Sequence, residues 1–489
     1  MRTINITVHP KLVESYEKLR KIANFTDGQI ERVSEYLKPY MTEASQDADA
    51  QNNYANRKER LYHINNCDPF LYIHLSHMSQ PITVTGWDGE KFDSISKDAD
   101  GEGKEHQDMA YGYLWNYMRD GKVGILVDRT ETPAPNQRIA IQNKEQSYQL
   151  EVESKDIVFW DLFTKGPNRG LFREVIIKTS SVYQGNAWVE QYSRFTIEEG
   201  AAFFNKEILE KKNGTLTYSN TQPQEMQVVD EKVGQLPFIP FVVMGDDIEE
   251  SFLYSIVDNN AAHMNLGSVV SNIIYNQGFQ RNILTGVRSD EIKKMGEWLV
   301  TTVQNPEAKA FTLDSGSPEA GFREKSELKN EIYRRGKFEF NQLADDTRQI
   351  QSAPSKERDM ATRRKLYDTT LNKLRFKLRL VWTFHAYFEG EKNLDISVQI
   401  GDDYGLDDPT VEQAKMTGVF TKAGILGAVE VQRQVLKTEL RQVKLIPNEK
   451  ESEQDLLTRL DEDINSSGEP PEVDTTTNPN RPSIGSRFQ

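Results

Sequence analysis

The sequence is poor in cysteine and in long apolar runs. Cys67 is its one cysteine, so no internal disulfide can form, which is typical of proteins that fold in a reducing cytoplasm. Apolar segments such as residues 238–244 have the length of a strand and fall short of the roughly 18–20 residues that span a bilayer. The first residues, Met1-Arg2-Thr3-Ile4-Asn5, contain no apolar segment of a secretory signal. We therefore expect a protein without a signal peptide or a membrane span.

The sequence also lacks an excess of positive charge. The chain carries 75 Asp and Glu residues against 60 Lys and Arg residues, which gives a net charge of -15 at pH 7. Proteins that hold DNA tightly carry a basic excess, because Lys and Arg neutralise the phosphates. The charge balance therefore opposes tight DNA binding over a wide surface. If DNA is a partner, it contacts local basic positions or slides past a surface that does not hold it.

The motifs of common enzyme and metal sites are missing or incomplete. Neither the G-x-x-x-x-G-K-[ST] motif of nucleotide hydrolysis nor a G-x-S-x-G nucleophile elbow occurs. Residues 98–103 resemble the start of a calcium loop, but the twelfth position is Met109, where a bidentate Glu is required. His74 and His77 could share a helical face, but no third zinc ligand stands at a useful spacing. The sequence therefore predicts no catalytic residue, no metal site and no cofactor.

What the sequence does contain is enough chain for several structural units. Its 489 residues exceed what one hydrophobic core usually holds. Up to about residue 250, the apolar periodicity predicts a mixed α+β unit. The predicted helices are at 10–40, at 52–75 with an interruption at Asp68-Pro69, and at 109–119 before a C-cap at Gly121. The predicted strands are at 82–87, 123–128, 157–160, 175–177 and 188–195, with a loop at 94–103 and a hairpin turn at 183–186.

Beyond residue 250 the chain is predicted to be mainly helical. The predicted order is a helix at 251–276 ended by Gly278, a short mixed segment, a helix at 324–349, a break at 352–355, a helix at 360–388 and a strand at 394–400. The mixed segment contains strands at 282–285 and 309–313 and a helix at 290–303. Short helices follow at 408–418 and 421–435. The residues after Glu449 are acidic and then rich in Ser, Thr, Pro and Asn, and we expect most of them to be disordered because they cannot bury enough apolar area.

Several segments occur in an order that is known from one family. They are Tyr113-Leu114-Trp115; Gly121-Lys122-Val123-Gly124-Ile125-Leu126-Val127-Asp128; Leu236-Pro237-Phe238-Ile239-Pro240; Asp258, Asn259, Ala262, His263 and Arg281-Asn282; Leu284-Thr285-Gly286; and Ile400-Gly401-Asp402-Asp403-Tyr404-Gly405-Leu406. Together with the order of elements, they resemble the portal proteins of tailed bacteriophages, the head-to-tail connectors. The resemblance covers most of residues 60–450, and none of its motifs is catalytic. Gly267, Asn272 and Asn276 depart from it, because they lie inside a predicted long helix.

The resemblance implies a structural protein and not an enzyme. Portal subunits form a ring, usually of twelve copies, at one capsid vertex of the virion, through which double-stranded DNA is packaged and ejected. The implied partners are further copies of the chain, the DNA, the terminase packaging motor, the tail adaptor and the major capsid protein, with assembly in the host cytoplasm. The implied division is an α+β wing (1–250), a first stem helix (251–278), a small α/β clip (279–326), a second stem helix (327–348), a tunnel loop (349–357), a long helix and return strand of the wing (358–406), a helical crown (407–448) and an acidic, largely disordered tail (449–489).

The candidate site lies in the tunnel loop and in the basic segment after it. A loop of small and polar residues between two long helices suits a mobile, solvent-facing tip. The residues expected at the DNA channel are Gln351, Ser352, Pro354, Ser355, Lys356 and Arg358, and those expected to contact DNA or a neighbouring subunit are Arg363, Arg364 and Lys365. Long cationic side chains near a channel could touch passing phosphates. Alternatively, these cations cover a helix face or pair with acidic residues of a neighbouring subunit.

Two other functions stay open from the sequence. One is a different structural component of a phage, either a tail adaptor or a capsid-associated protein. The other is a metal-dependent nuclease, which requires carboxylates gathered on adjacent strands beside a lysine. No such constellation is evident in the sequence.

Overall fold

The computed structural model of the chain describes residues 2–40, 43–44, 48–129, 146–165, 169–184, 187–211, 216–278, 282–285, 300–303, 318–336, 353–391, 394–402 and 404. All of them belong to one structural unit that extends to Gly405. The predicted crown (407–448) and tail (449–489) lie outside the described residues. Helices and strands are both abundant in this unit, so the α+β class predicted from the sequence is confirmed.

The elements are numbered along the chain within these ranges. The helices are α1 (Pro10–Asp27), α2 (Ile30–Val33), α3 (Ala48–Glu59), α4 (Cys67–Met78), α5 (Glu90–Lys97), α6 (His106–Asp120), α7 (Ile256–Gly278), α8 (Pro318–Arg335) and α9 (Ala353–Phe388). The strands are β1 (Arg2–Ile6), β2 (Ile82–Thr85), β3 (Val123–Arg129), β4 (Ser147–Glu153), β5 (Ile157–Leu162), β6 (Phe172–Gln184), β7 (Ala187–Thr196), β8 (Asn205–Glu210), β9 (Gln224–Val233), β10 (Phe241–Met244), β11 (Asn282–Thr285), β12 (Val300–Val303) and β13 (Ser397–Ile400).

The largest sheet that the structure describes has six antiparallel strands, in the order β1-β9-β8-β7-β6-β5. β6 and β7 pair as a hairpin with Gln184 opposite Ala187, while the turn residues 185–186 lie outside the described residues. The main-chain N–H of His9, just after the edge strand β1, donates to the carbonyl of Val158 in the other edge strand, β5 (2.9 Å), and so holds the segment after β1 against β5. This contact covers part of the β5 edge, which otherwise offers unpaired main-chain groups to another chain.

Asp156 lies in the turn between β4 and β5 and is partly buried. Burial is the main reason that its pKa is raised to about 6. The carboxylates of Glu153 and Glu190 also raise this pKa, while nearby lysines lower it. The folded state therefore holds this proton more tightly than the unfolded state does. The resulting contribution to stability is present below about pH 4 and is lost as the pH rises through about 6.

We expect Asp156→Asn to stabilise the protein by about 2 kcal/mol more at pH 8 than at pH 4, because the amide stays neutral where the carboxylate would have to be buried with its charge. Urea unfolding of the two proteins at both pH values measures the difference. The exposed Asp88→Asn variant is the control, and we expect it to leave the pH dependence unchanged. An equal effect of Asp156→Asn at both pH values would show that this carboxyl does not titrate as described.

A second sheet, in the order β10-β3-β4, packs against α6 and α9. The first five residues of β3 are all buried, as the apolar run in the sequence predicts. α6 ends at its predicted cap, because Gly121 adopts φ 76° and donates its N–H to the Tyr117 carbonyl (2.7 Å). Trp382 of α9 is fully buried, and its ring packs edge to face against the ring of Trp87, which is also buried. β13, the return strand after α9, pairs antiparallel with β2.

The N-terminal helices differ from the predicted ones in their bounds. The helix predicted at 10–40 ends at Asp27, because Gly28 adopts φ 66° and caps it. The helix predicted at 52–75 is divided into α3 and α4, but the break precedes Cys67 and is not at Asp68-Pro69. Proline is tolerated in the first turn of α4, where a main-chain N–H has no helical partner. α5 extends into the predicted loop at 94–103.

Candidate functional site

α7 and α8 lie side by side and run in opposite directions. At one end, Nη1 of Arg335 is 3.5 Å from the carbonyl oxygen of Ser255, just before α7 begins. Farther along, Gly321 of α8 approaches Val270 of α7 so closely that a β-carbon on the glycine would lie 2.7 Å from Cγ2 of the valine. Glycine therefore permits the close contact between the two helices.

The bounds of this pair differ from the predicted bounds. α7 begins at Ile256, inside the segment predicted as the first stem helix (251–278). α8 begins at Pro318, well before the predicted second stem helix (327–348), and includes the last part of the predicted clip (279–326). Proline is favoured in the first turn of a helix, which explains this start. Residues 337–348 lie outside the described residues.

The chain between α7 and α8 contains a small parallel sheet. β11 pairs with β12, with Asn282 opposite Val300 and Thr285 opposite Val303. The sequence predicts a helix at 290–303, and this is wrong at its end, because residues 300–303 are a strand. Their sequence Val-Thr-Thr-Val consists of β-branched residues, which favour a strand over a helix. The predicted strand at 309–313 lies outside the described residues.

Polar contacts anchor the first half of α7 to the N-terminal helices. Asp258 accepts hydrogen bonds from Lys18 and from Lys21 of α1 (2.7 Å for Lys21). Burial alone would raise the pKa of Asp258, but these two hydrogen bonds outweigh burial and the pKa is lowered. Nearly two turns farther along α7, the amide of Asn265 donates to the Tyr36 carbonyl (3.1 Å). Both contacts lie in the half of α7 that is remote from the insert (residues 279–317, between α7 and α8).

A buried ion pair between α3 and the segment before it strengthens this anchor. Nη2 of Arg57 is 2.6 Å from Oε2 of Glu43, and the two side chains are 5% and 8% exposed. Arg57 also donates to the Ser268 hydroxyl of α7 (3.1 Å). It donates further to the Lys38 carbonyl (2.7 Å), and its guanidinium lies 3.8 Å from the centroid of the Tyr40 ring. One side chain therefore fixes α3, the segment around residue 40 and α7 to one another.

The end of α8 that is nearer the insert is mainly exposed. Of residues 319–327, Gly321 and Lys325 alone are partly covered, and Phe322 is 50% exposed. Ile332, near the other end of α8, is buried. The helix pair is therefore embedded at its anchored end and leaves most of α8 open to solvent toward the insert.

The C-terminal end of α8 and the long helix α9 meet at His74 of α4. Nε2 of His74 is 3.2 Å from the Gly336 carbonyl oxygen, and Nδ1 is 2.9 Å from the Tyr367 hydroxyl. Because a carbonyl can only accept, Nε2 carries the proton, and in the neutral ring Nδ1 accepts from Tyr367. Burial raises the pKa of the Tyr367 hydroxyl to about 12, so it stays protonated. His74 thus joins α8 and α9 through α4.

Ring nitrogens of both histidines that share a face of α4 are engaged in hydrogen bonds within the chain. His77 donates from Nδ1 to the Tyr404 carbonyl (2.8 Å), and His74 is engaged as above. Within the part of the chain that the structure describes, there is no group of three His, Cys, Asp or Glu side chains that could hold a metal ion. In the segment that resembles a calcium loop, Asp98 and Asp100 accept main-chain N–H groups of their own turn.

We expect Tyr367→Phe to lower the free energy of unfolding by about 1 kcal/mol, because it removes the hydrogen bond to His74 without changing the packing of the ring. Urea unfolding measures the loss, and hydrogen exchange should show faster exchange at the C-terminal end of α8. Tyr62→Phe is the control, since Tyr62 is 66% exposed and should lose nothing. Unchanged stability and unchanged exchange in Tyr367→Phe would mean that the His74 contact does not hold α8.

The predicted site residues fall into two groups. Gln351 and Ser352 lie outside the described residues. Pro354, Ser355, Lys356 and Arg358 belong to the first turns of α9, so the helix begins at Ala353, inside the predicted loop at 349–357. The physical reason is again that proline is favoured in the first turn of a helix, where its missing N–H costs no hydrogen bond.

The basic residues of α9 differ in their surroundings. Arg363 is 7% exposed, whereas Arg364 and Lys365 are exposed. Lys373 donates to the Glu250 carboxylate (2.6 Å), and Arg379 lies 3.3 Å from the Asp395 carboxylate. Lys373 and Arg379 therefore pair with acids of their own chain, whereas the alternative drawn from the sequence was pairing with acids of a neighbouring subunit.

A cleft that no pattern in the sequence marks directly lies beside the middle of α9. The cleft has a volume of about 510 Å³ and is lined by Gly245, Asp246, Thr369, Asn372, Lys373, Phe376 and Lys377. Phe376 is 57% exposed, while its neighbours Leu374 and Leu378 are buried. The helical period of α9 contains a signal for this cleft, because it places Phe376 on a different face of the helix from the buried apolar residues.

Comparisons with known proteins give no family for this chain. No protein-family model matches it, and no curated protein matches it significantly. Within the described residues, no helix is both long enough and apolar enough to cross a membrane.

Proposed function

We propose that this chain is the subunit of a portal ring, the channel through which double-stranded DNA enters and leaves the capsid of a tailed bacteriophage. The observation that carries the proposal is the antiparallel pair of α7 and α8 around a small insert with parallel strands. The pair is anchored at one end and largely exposed along α8, which suits a stem that several copies build around an axis. The support comes from architecture and not from a chemical site.

The long helix gives the proposed channel a second wall. α9 has 36 residues and is therefore about 54 Å long. Its first half is tied through His74 to the end of α8. If α7 and α8 surround the channel, the start of α9 with Lys356 and Arg358 lies next to it. In this arrangement the insert meets the packaging motor and later the tail adaptor, while the capsid protein contacts the outer parts of the ring.

The charge of the chain fits a conduit that does not hold its DNA. With a net charge of -15 per subunit, the ring repels phosphates weakly over most of its surface, and local cations touch them briefly. We expect isolated rings to retain DNA weakly at 50 mM salt and not at 200 mM salt. Lys356→Ala with Arg358→Ala should lower the salt slope of this retention by about 1 for each lost phosphate contact.

Filter retention of labelled duplex DNA across a salt series measures this behaviour. Arg32→Ala with Lys58→Ala, which removes two cations from the N-terminal helices, is the matched control and should leave the slope unchanged. Tight retention that persists at 200 mM salt would contradict a low-friction channel.

Particle mass tests the proposed function itself. We expect mass photometry of the purified chain to show a closed assembly with a mass near twelve times 56.1 kDa, and negative-stain images to show a central hole. A stable monomer that cleaves DNA in the presence of a divalent metal would overturn the proposal in favour of a nuclease. An assembly without a central hole would favour another structural component of the virion.

A further inference from the structure

The cleft beside α9 has the properties of a receptor for an aromatic side chain. Phe376 is 57% exposed, although it lies on a helix whose opposite face is a well-packed core. Lys377 is half-buried beside it, with its Nζ 5.7 Å from the centroid of the Phe376 ring. Burial lowers the pKa of this lysine and outweighs the Asp246 carboxylate, which lines the same cleft and acts in the opposite direction. Among the described residues, no carboxylate lies within ion-pair distance of Lys377. An added carboxylate would therefore compensate its charge better than the cleft now does.

The loop between β7 and β8 has the complementary properties. Glu198 and Glu199 are exposed, and Phe203 is 50% exposed. Gly200 adopts φ 81°, which turns the chain tightly, and the next aromatic residue, Phe204, is buried. Two main-chain hydrogen bonds of Phe204 to the segment after β9 (2.7 and 3.2 Å) fix the base of the loop. The loop thus presents one aromatic ring and two carboxylates on a fixed support.

We propose that the loop at 198–203 of one copy docks into the Phe376 cleft of a second copy. In this contact Phe203 packs against Phe376, and the two glutamates approach Lys377. The inference rests on the proposed ring, and it names the surface through which neighbouring subunits join.

The contact is head-to-tail, because the loop and the cleft are different surfaces of the same chain. A contact of this type continues from copy to copy and closes into a ring when the rotation between copies allows it. Buried aromatic anchors in pockets carry much of the energy of protein interfaces. The charges of opposite sign around the two rings favour this orientation over contacts between two loops or between two clefts.

Two variants of the full chain test this contact by mass photometry. The cleft variant carries Phe376→Ser with Lys377→Glu, and the loop variant carries Phe203→Ser with Glu198→Gln and Glu199→Gln. Each variant alone should stay monomeric up to a concentration on the order of thirtyfold above that at which the unmodified chain assembles. Circular dichroism should show that both fold, since the changed side chains are largely exposed or on the rim of the cleft.

A mixture of the two variants in equal amounts gives the decisive result. The intact loop of the cleft variant fits the intact cleft of the loop variant, so the mixture should form dimers and nothing larger. The control Tyr62→Ser removes another exposed ring and should assemble like the unmodified chain.

Each alternative outcome has a distinct meaning. If both variants assemble like the unmodified chain, the docking contact is wrong and the ring stands. If the mixture stays monomeric, the loop is not the occupant of the cleft. If the unmodified chain itself never assembles, the proposed function and this contact fall together.

Discussion

Arg57→Ala is expected to lower the free energy of unfolding by roughly 3–5 kcal/mol, the usual cost of removing one partner of a buried ion pair. The reason is that Glu43 would stay buried without its counter-charge, while Ser268 of α7 would lose a hydrogen bond. Burial alone would raise the pKa of Glu43, but Arg57 and the Tyr40 N–H lower it. This contribution to stability is present above the unfolded pKa of the carboxyl and is lost as the pH falls through its lowered folded value.

Urea unfolding at neutral pH, followed by tryptophan fluorescence, measures the loss. Arg32→Ala is the matched control, because the ion pair of Arg32 with Asp27 (2.8 Å) has side chains that are 53% and 41% exposed. An exposed pair of this kind contributes at most about 1 kcal/mol. Similar small losses in both variants would mean that the Arg57 contacts do not anchor α7.

Gly121→Ala is expected to cost roughly 2–5 kcal/mol, the sum of a left-handed backbone strain and a steric clash. Gly121 adopts φ 76°, a conformation that disfavours a side chain. A β-carbon there would also lie 2.4 Å from the Asp247 carbonyl oxygen and 2.8 Å from the Ser251 nitrogen. Because both obstacles are main-chain atoms, a side-chain rotation cannot relieve the clash, and the segment before α7 must shift.

Gly390→Ala separates the two causes, and thermal or urea unfolding of both variants gives the comparison. Gly390 follows α9 and adopts φ 85°, but a β-carbon on it would meet no atom within 4 Å. Its replacement should therefore cost only the strain of roughly 1–2 kcal/mol. If the two variants lose the same free energy, the contact of Gly121 with residues 247–251 does not constrain the approach to α7.

Elements with strong local signals were predictable from the sequence. α6 and its glycine cap, the apolar strand β3 and the hairpin of β6 and β7 all follow from periodicity and turn residues within a few positions. β1 and β9 could not be found in this way, because their pairing joins Arg2 to Val228, which lie far apart in the sequence. Strand pairing of this kind depends on packing between distant segments, which a local pattern does not contain.

The candidate site shows the same division. The order of α7, insert, α8 and α9 could be predicted, since each long helix has its own period. The start of α9 was misjudged because Pro354 suits either a loop or a first helical turn. The cleft at Phe376 needs Gly245 and Asp246 as its opposite wall, and residues this far away in sequence cannot be assigned to it before the fold is known.

A reconstruction of the assembled particle by electron cryo-microscopy tests directly whether α7 and α8 line a channel. We predict a closed ring in which every copy presents its α7–α8 pair to a central opening wide enough for a DNA duplex. A particle without an opening, or one whose helix pairs lie on the outer rim, would contradict the proposed function.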